Sequence, residues 1–127
     1  MQVDSLNEKL PIGSVSGGIS RFLSIVIGIA SIPNGVLLID EFEGGFYYAH
    51  LPEILEKICS FCETCNVQVF ASTHSYEFLQ RMLPVMRKRR DTANEFTLLR
   101  SIRSANECTV TAIGDPSAAI ESNFEVR

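Results

Sequence analysis

The sequence predicts an α/β fold: a parallel sheet with flanking helices, followed by a C-terminal β-hairpin. Three observations carry this. Two short runs, "GVLLID" (residues 35–40) and "VQVFAS" (67–72), have the apolar character of buried strands. Each strand is followed by a segment with apolar residues at helical spacing, and such alternation calls for a parallel core. Two further runs, "EFTLLRSIR" and "ECTVTAI", are separated only by "SAN", which reads as an antiparallel hairpin.

The elements follow in chain order. "MQVDSLNEKLPI" holds two short extended pieces around a polar turn and is compatible with a hairpin. "GSVSGG" is a loop, and Ser16 is placed to cap a helix from about Gly17 to Ile32. That helix has apolar residues around most of its circumference, so burial on more than one side is expected. "PNG" ends it. After the first strand, "YYAHLPEILEKICSFCETC" carries Leu51, Ile54, Leu55, Ile58, Phe61 and Cys65 at helical spacing. After the second, "HSYEFLQRMLPVMRKRR" is helical, with Pro84 expected to break or kink it. "GDPSAAIESNF" reads as a short closing helix with Asp115 as cap and Pro116 in its first turn.

The 127 residues fit one domain with a modest core. At 46% hydrophobic and 20% charged the chain is globular in composition. A net charge of -4 gives no overall pull toward nucleic acid or an anionic membrane. The longest apolar run, "FLSIVIGIASI", falls short of the roughly 20 residues a membrane span needs. The opening residues lack a secretory pattern. With four cysteines, the expectation is free thiols in a reducing compartment, the cytoplasm.

In parallel sheets ligands sit beyond the carboxyl ends of the strands. The first strand ends in Asp40 and Glu41, the second in Ser72, Thr73 and His74. If the strands are neighbours, these groups converge. A carboxylate at a strand tip holds Mg²⁺, usually through water. A carboxylate beside it orients or deprotonates an attacking water. A histidine opposite touches a phosphate. The plainer alternatives are a solvated loop start at Asp40 and a helix cap at Thr73 or Ser75.

"SVSGGISR", "GVLLIDEFEGG" and "VFASTHS" follow one another as in ABC-type ATPases. More narrowly, the chain resembles AAA-family ATP-binding proteins related to the overcoming-lysogenization-defect ATPases, from about Val3 to the closing "FEVR". The resemblance implies a partial P-loop NTPase sheet, with residues 1–127 as the C-terminal part of an ATPase domain. It implies ATP as ligand, Mg²⁺ as metal and a head-to-tail dimer, formed by two copies or with a P-loop-bearing chain. Ser16, Gly17 and Gly18 match the signature loop that contacts the γ-phosphate of ATP on the opposite subunit. Asp40 would position Mg²⁺ through water and Glu41 would be the general base. Glu43, Gly44 and Gly45 match the D-loop, and His74 the switch histidine.

Three departures qualify the resemblance. No G-x-x-x-x-G-K-[ST] motif occurs, so the main cradle for the β- and γ-phosphates is missing. The expectation is a fragment, a half completed in trans, or a remnant, lacking the P-loop strand. Ile19 stands where transporters carry glutamine, and Tyr47 where relatives usually show histidine. The competing reading is a non-catalytic module that pairs with an intact P-loop ATPase. A third reading uses Cys59, Cys62 and Cys65 as metal ligands, but their helical spacing favours buried thiols, and no structural metal is expected. "RKRR" (87–90) is the basic cluster able to touch DNA, though such a run also suits a helix C-terminus. His50 reads as a surface or packing residue, and nothing points to a nuclease site or a membrane.

Overall fold

The structure, a computed structural model, describes residues 17–89, 96–114 and 116–121. The order is α1 (Gly17–Ser31), β1 (Val36–Ile39), a single 3-10 turn (Tyr48–His50), α2 (Leu51–Cys65), β2 (Gln68–Ala71), α3 (Tyr76–Arg89), β3 (Leu98–Arg103), β4 (Cys108–Ile113) and α4 (Pro116–Glu121). The expected opening hairpin, the Ser16 cap and the Asp115 cap lie outside the described residues. The fold is α/β, with a small parallel sheet and an antiparallel hairpin.

β1 and β2 pair in parallel, with Leu37 opposite Val69 and Ile39 opposite Ala71. The pleat puts Leu37, Ile39 and Val69 on one face and Val36, Leu38 and Phe70 on the other. The first face meets the core: Ile39 is buried, and Leu37 and Val69 pack against the buried cluster. The second face is open, with Leu38 75% exposed and Phe70 46% exposed.

Two asparagines launch the strands. Asn34 and Asn66 both take the left-handed conformation, with φ 61° and 53°, which Asn tolerates better than most side chains. Asn66 thereby caps α2, and the Asn66 side-chain amide donates to Asn34 Oδ1 at 2.9 Å. The Asn34 N–H reaches Cys65 O at 2.9 Å. The two helix-to-strand turns thus lie side by side and hold the strands in register.

α1 differs from expectation. It buries Ile25 and Ile29, but Ile27 is 57% exposed and Ile19 51% exposed. One face packs, against α2 and across Leu37 at Gly28, while the opposite apolar face meets no partner among the described residues. Ser24 and Ser31 turn their hydroxyls back to the carbonyls of Ser20 and Ile27, which satisfies them within the helix.

α3 also differs: it continues through Pro84. Proline lacks the N–H that would reach the Gln80 carbonyl, at a cost of about 3 kcal/mol in a helix interior. Leu83 and Val85 on either side are buried, together with Phe78 and Leu79, and this burial outweighs the lost bond. Ser75 caps the helix, accepting from Phe78 N–H at 3.1 Å. Phe42, Phe46 and Phe78 stack in tilted pairs, with centroids 6.0 and 5.3 Å apart, beneath the strand tips.

β3 and β4 form the expected hairpin, Leu98 opposite Ile113 and Arg103 opposite Cys108, closed by a Ser104 N–H to Glu107 O bond of 2.8 Å.

Candidate functional site

Because β1 and β2 are hydrogen-bonded neighbours, their tips meet. Ser72 N–H donates to Ile39 O at 2.9 Å, and Phe42 N–H donates to Ser72 O at 3.0 Å. The ladder therefore continues one step past the strands and frames the turn that carries Asp40 and Glu41. Both acidic side chains are exposed.

The turn is unusual at Glu41, whose φ is 47°. A glutamate in this region is uncommon and must be held there by its surroundings. Two side chains hold it. The Ser72 hydroxyl donates to Asp40 Oδ1 and accepts from Glu41 N–H at 2.9 Å. From α1, one guanidinium nitrogen of Arg21 donates to the carbonyl oxygens of Asp40 at 2.8 Å and Glu41 at 3.2 Å.

Glu43 crosses to the second strand. Its Oε1 accepts from His74 N–H at 3.3 Å, whereas its Oε2 is buried with no hydrogen-bond partner among the described residues. His74 is exposed beside it. Thr73 Oγ1 accepts from Ser75 N–H at 3.0 Å, and Tyr48 OH lies 3.2 Å from Ser75 Oγ. The capping alternative therefore holds for Ser75, with Thr73 bracing the cap residue's N–H, while the Ser72 hydroxyl and the His74 N–H face the acidic turn.

The glycines pack against one another. Gly45 has φ 86°, open to glycine at little cost. A Cβ on Gly18 would lie 2.9 Å from Gly45 O, and one on Gly45 would lie 3.5 Å from Gly17 O. The N-terminus of α1 thus rests on the turn after the acidic pair. Gly44 N–H closes that turn onto Glu41 O at 3.0 Å. Of the expected site residues, Gly17, Gly18, Asp40, Glu41, Gly44, Gly45 and His74 occupy one end of the molecule, and Ser16 lies outside the described residues. The sequence places Ser72 at the second strand tip but gives it no role, and it does not single out Arg21. Arg21 lies three residues after Gly18 and Ser72 directly precedes the Thr–His pair, but neither bond is signalled without the strand pairing.

The other candidates resolve differently. Among the described residues, no cluster of three or more His, Cys, Asp or Glu side chains is arranged to hold a metal ion. Cys59 is pushed up to about 11, first by burial, and Cys62 is also raised by burial. Both are inert thiols rather than ready ligands. The described residues of the basic run are engaged with carboxylates: Arg89 with Glu56 and Glu63, Lys88 with Glu56 at 3.2 Å, and Arg87 with Glu121. His50 is exposed, its ring 5.8 Å from that of Tyr47. A cleft of about 1550 Å³ runs along the open sheet face toward β3 and ends at Asp40 and His74. Its size reflects the uncovered sheet rather than the chemistry at the tip. No helix among the described residues is long and apolar enough to cross a membrane.

The carboxylates thus lie beyond the carboxyl ends of two adjacent parallel strands, where ligands bind in α/β sheets. Residues 2–80 match the family model described as "AAA domain, putative AbiEii toxin, Type IV TA system", and the chain belongs to this AAA ATPase family. The chain is also similar to an "ATP/GTP phosphatase" of Helicobacter pylori (strain ATCC 700392 / 26695), 28% identical over 92 residues. That alignment covers 70% of this chain but 25% of the relative, so the chain spans about a quarter of the relative's length. No solved structure matches the chain.

Proposed function

We propose that this chain supplies the acidic and signature half of an ATP-hydrolysing site of the ABC type. The observation that carries the proposal is the junction of the two strand tips at Ser72, which brings Asp40, Glu41 and His74 to one edge. The phosphate-cradling P-loop comes from sequence outside these 127 residues or from another chain.

The residues present fit Mg²⁺ and a triphosphate. Asp40 is an exposed hard-oxygen donor that spends one oxygen on Ser72 and keeps Oδ2 without a protein partner among the described residues. Glu43 Oε2, on the turn that follows, is a second carboxylate oxygen without a donor among the described residues. Asp40 would hold the ion through water. When bound, the ion neutralises charge on the phosphate oxygens. Glu41 takes a proton from the attacking water, and its backbone, fixed by Ser72 and Arg21, sets the direction of the carboxylate. His74, exposed at the tip of the neighbouring strand, contacts the terminal phosphate. Gly17 and Gly18 open α1, where backbone N–H groups favour an anion. Their contact with Gly45 ties the surface that meets a partner's nucleotide to the acidic turn.

Two half-sites then face each other head to tail, either two copies or this chain with a P-loop-bearing partner. Sizing of the assembly recovered through this chain, with Mg²⁺ and ATP, tests the arrangement. The Glu41→Gln variant should accumulate an ATP-dependent complex that chelation of the metal dissolves. Absence of bound ATP from both wild type and variant would overturn the proposal. It would favour the second reading, a non-catalytic module pairing with an intact ATPase, which the missing P-loop motif supports.

A further inference from the structure

We infer that Ser72 is a positioning residue that locks the acidic turn: its one hydroxyl fixes the Asp40 carboxylate and the Glu41 backbone together. The inference rests on the proposed hydrolytic role of Asp40 and Glu41, and adds how their geometry is set.

A serine hydroxyl has one proton to donate and lone pairs to accept. Ser72 uses both functions on adjacent residues of the other strand. Its proton goes to Asp40 Oδ1 and its oxygen accepts Glu41 N–H at 2.9 Å. The Ser72 backbone is fixed by Ile39 O and Phe42 N–H, so the hydroxyl is presented from a rigid frame. What it holds is a residue that would not rest there unaided, because Glu41 sits at φ 47°. Holding Asp40 through Oδ1 also selects which carboxylate oxygen remains for a metal-bound water. Groups that orient a metal ligand in this way commonly change metal affinity by about 10- to 100-fold when removed.

The geometry also links the turn to the second strand. Ser72 lies two residues before His74, and the Glu43 carboxylate accepts His74 N–H. The acidic turn is thus attached to the second strand's tip at each of Asp40, Glu41, Phe42 and Glu43. Arg21 grips the same turn from α1 through carbonyl oxygens alone. It does not restrain the Asp40 carboxylate, so it cannot replace the hydroxyl.

The test uses the assembly recovered through this chain, with Ser72→Thr and Ser72→Val. These two have the same shape and differ in the hydroxyl; Ser72→Ala is the smaller control. Three readouts are taken: amide hydrogen exchange at Glu41, Mn²⁺ affinity by titration, and the kcat and KM for ATP. Ser72→Thr should stay near wild type. Ser72→Val should exchange at Glu41 at least about tenfold faster and bind Mn²⁺ about 10- to 100-fold more weakly. Its kcat should fall with KM for ATP within about twofold, because a lost positioning group acts on the reacting geometry. Equal behaviour of Thr and Val in exchange and Mn²⁺ binding overturns the inference. If wild type neither binds Mn²⁺ nor hydrolyses ATP, the hydrolytic reading fails instead. The exchange comparison then still decides whether the hydroxyl holds the turn.

Discussion

Two glycines and a serine decide whether the acidic turn has its shape. Gly18 has no room for a side chain, since an added Cβ would lie 2.9 Å from the Gly45 carbonyl oxygen. That oxygen belongs to backbone and cannot swing aside. Gly18→Ala should therefore push α1 off the turn at a cost of about 1–3 kcal/mol. It should also weaken ATP-dependent association of the assembly. Gly17 has open space at its Cβ, so Gly17→Ala is the matched control. Equal melting temperatures for the two variants would show that the contact does not matter. That Asp40, Glu41 and His74 lie at strand ends was legible in the sequence, because each follows a recognisable strand, and Gly44 and Gly45 were marked by the family resemblance. The bonds of Arg21 and Ser72 were not. They reach across 19 to 32 positions of chain, and only the strand pairing creates them.

At the scale of elements, α2 and α3 are clamped by Arg89, whose side chain is 11% exposed. It reaches Glu56, Glu63 and the hydroxyl of Ser60. From the sequence this arginine looked like part of a solvated basic run; the helix instead turns its last residue inward. Burial by itself would raise Glu56, but hydrogen bonds from Lys88 and Arg89 outweigh it and hold the carboxyl below its ordinary value. The folded state therefore prefers the charged form. The resulting stability is fully present above the unfolded value of about 4.3 and is lost as pH falls through the lower folded one. Melting curves between about pH 3 and pH 7 should show wild type losing more on acidification than Glu56→Gln. Parallel losses would rule out the clamp as the cause. Arg89→Ala, which removes the partner shared by Glu56 and Glu63, should cost about 1–3 kcal/mol at neutral pH. The same tertiary burial explains α3, where local propensity at Pro84 is overridden by Leu83 and Val85 on its two sides.

For the whole molecule, the sheet is its least complete part. Among the described residues it has two strands, with Val36, Leu38 and Phe70 bare on one face and the outer edge of β2 unpaired. Unpaired edges recruit further strands, from the intended partner or from aggregation. The alternation of strand and helix made the parallel pair readable in advance. The exposure of α1 was not readable, because an all-round apolar helix looks the same in sequence whether its outer face is covered or waiting. The 127 residues alone should therefore fail to melt cooperatively as a monodisperse monomer, and should do so once the P-loop-bearing segment is supplied. Sizing and calorimetry of both samples check this, and a well-behaved isolated monomer would count against an incomplete sheet. The central claim, however, is that this sheet delivers Asp40 and Glu41 to ATP. Its most direct test is steady-state ATP turnover by the assembly containing this chain, wild type against Glu41→Gln. Turnover should fall by at least about 100-fold, with ATP still bound and recovered intact. Hydrolysis by the variant at the wild-type rate would contradict it.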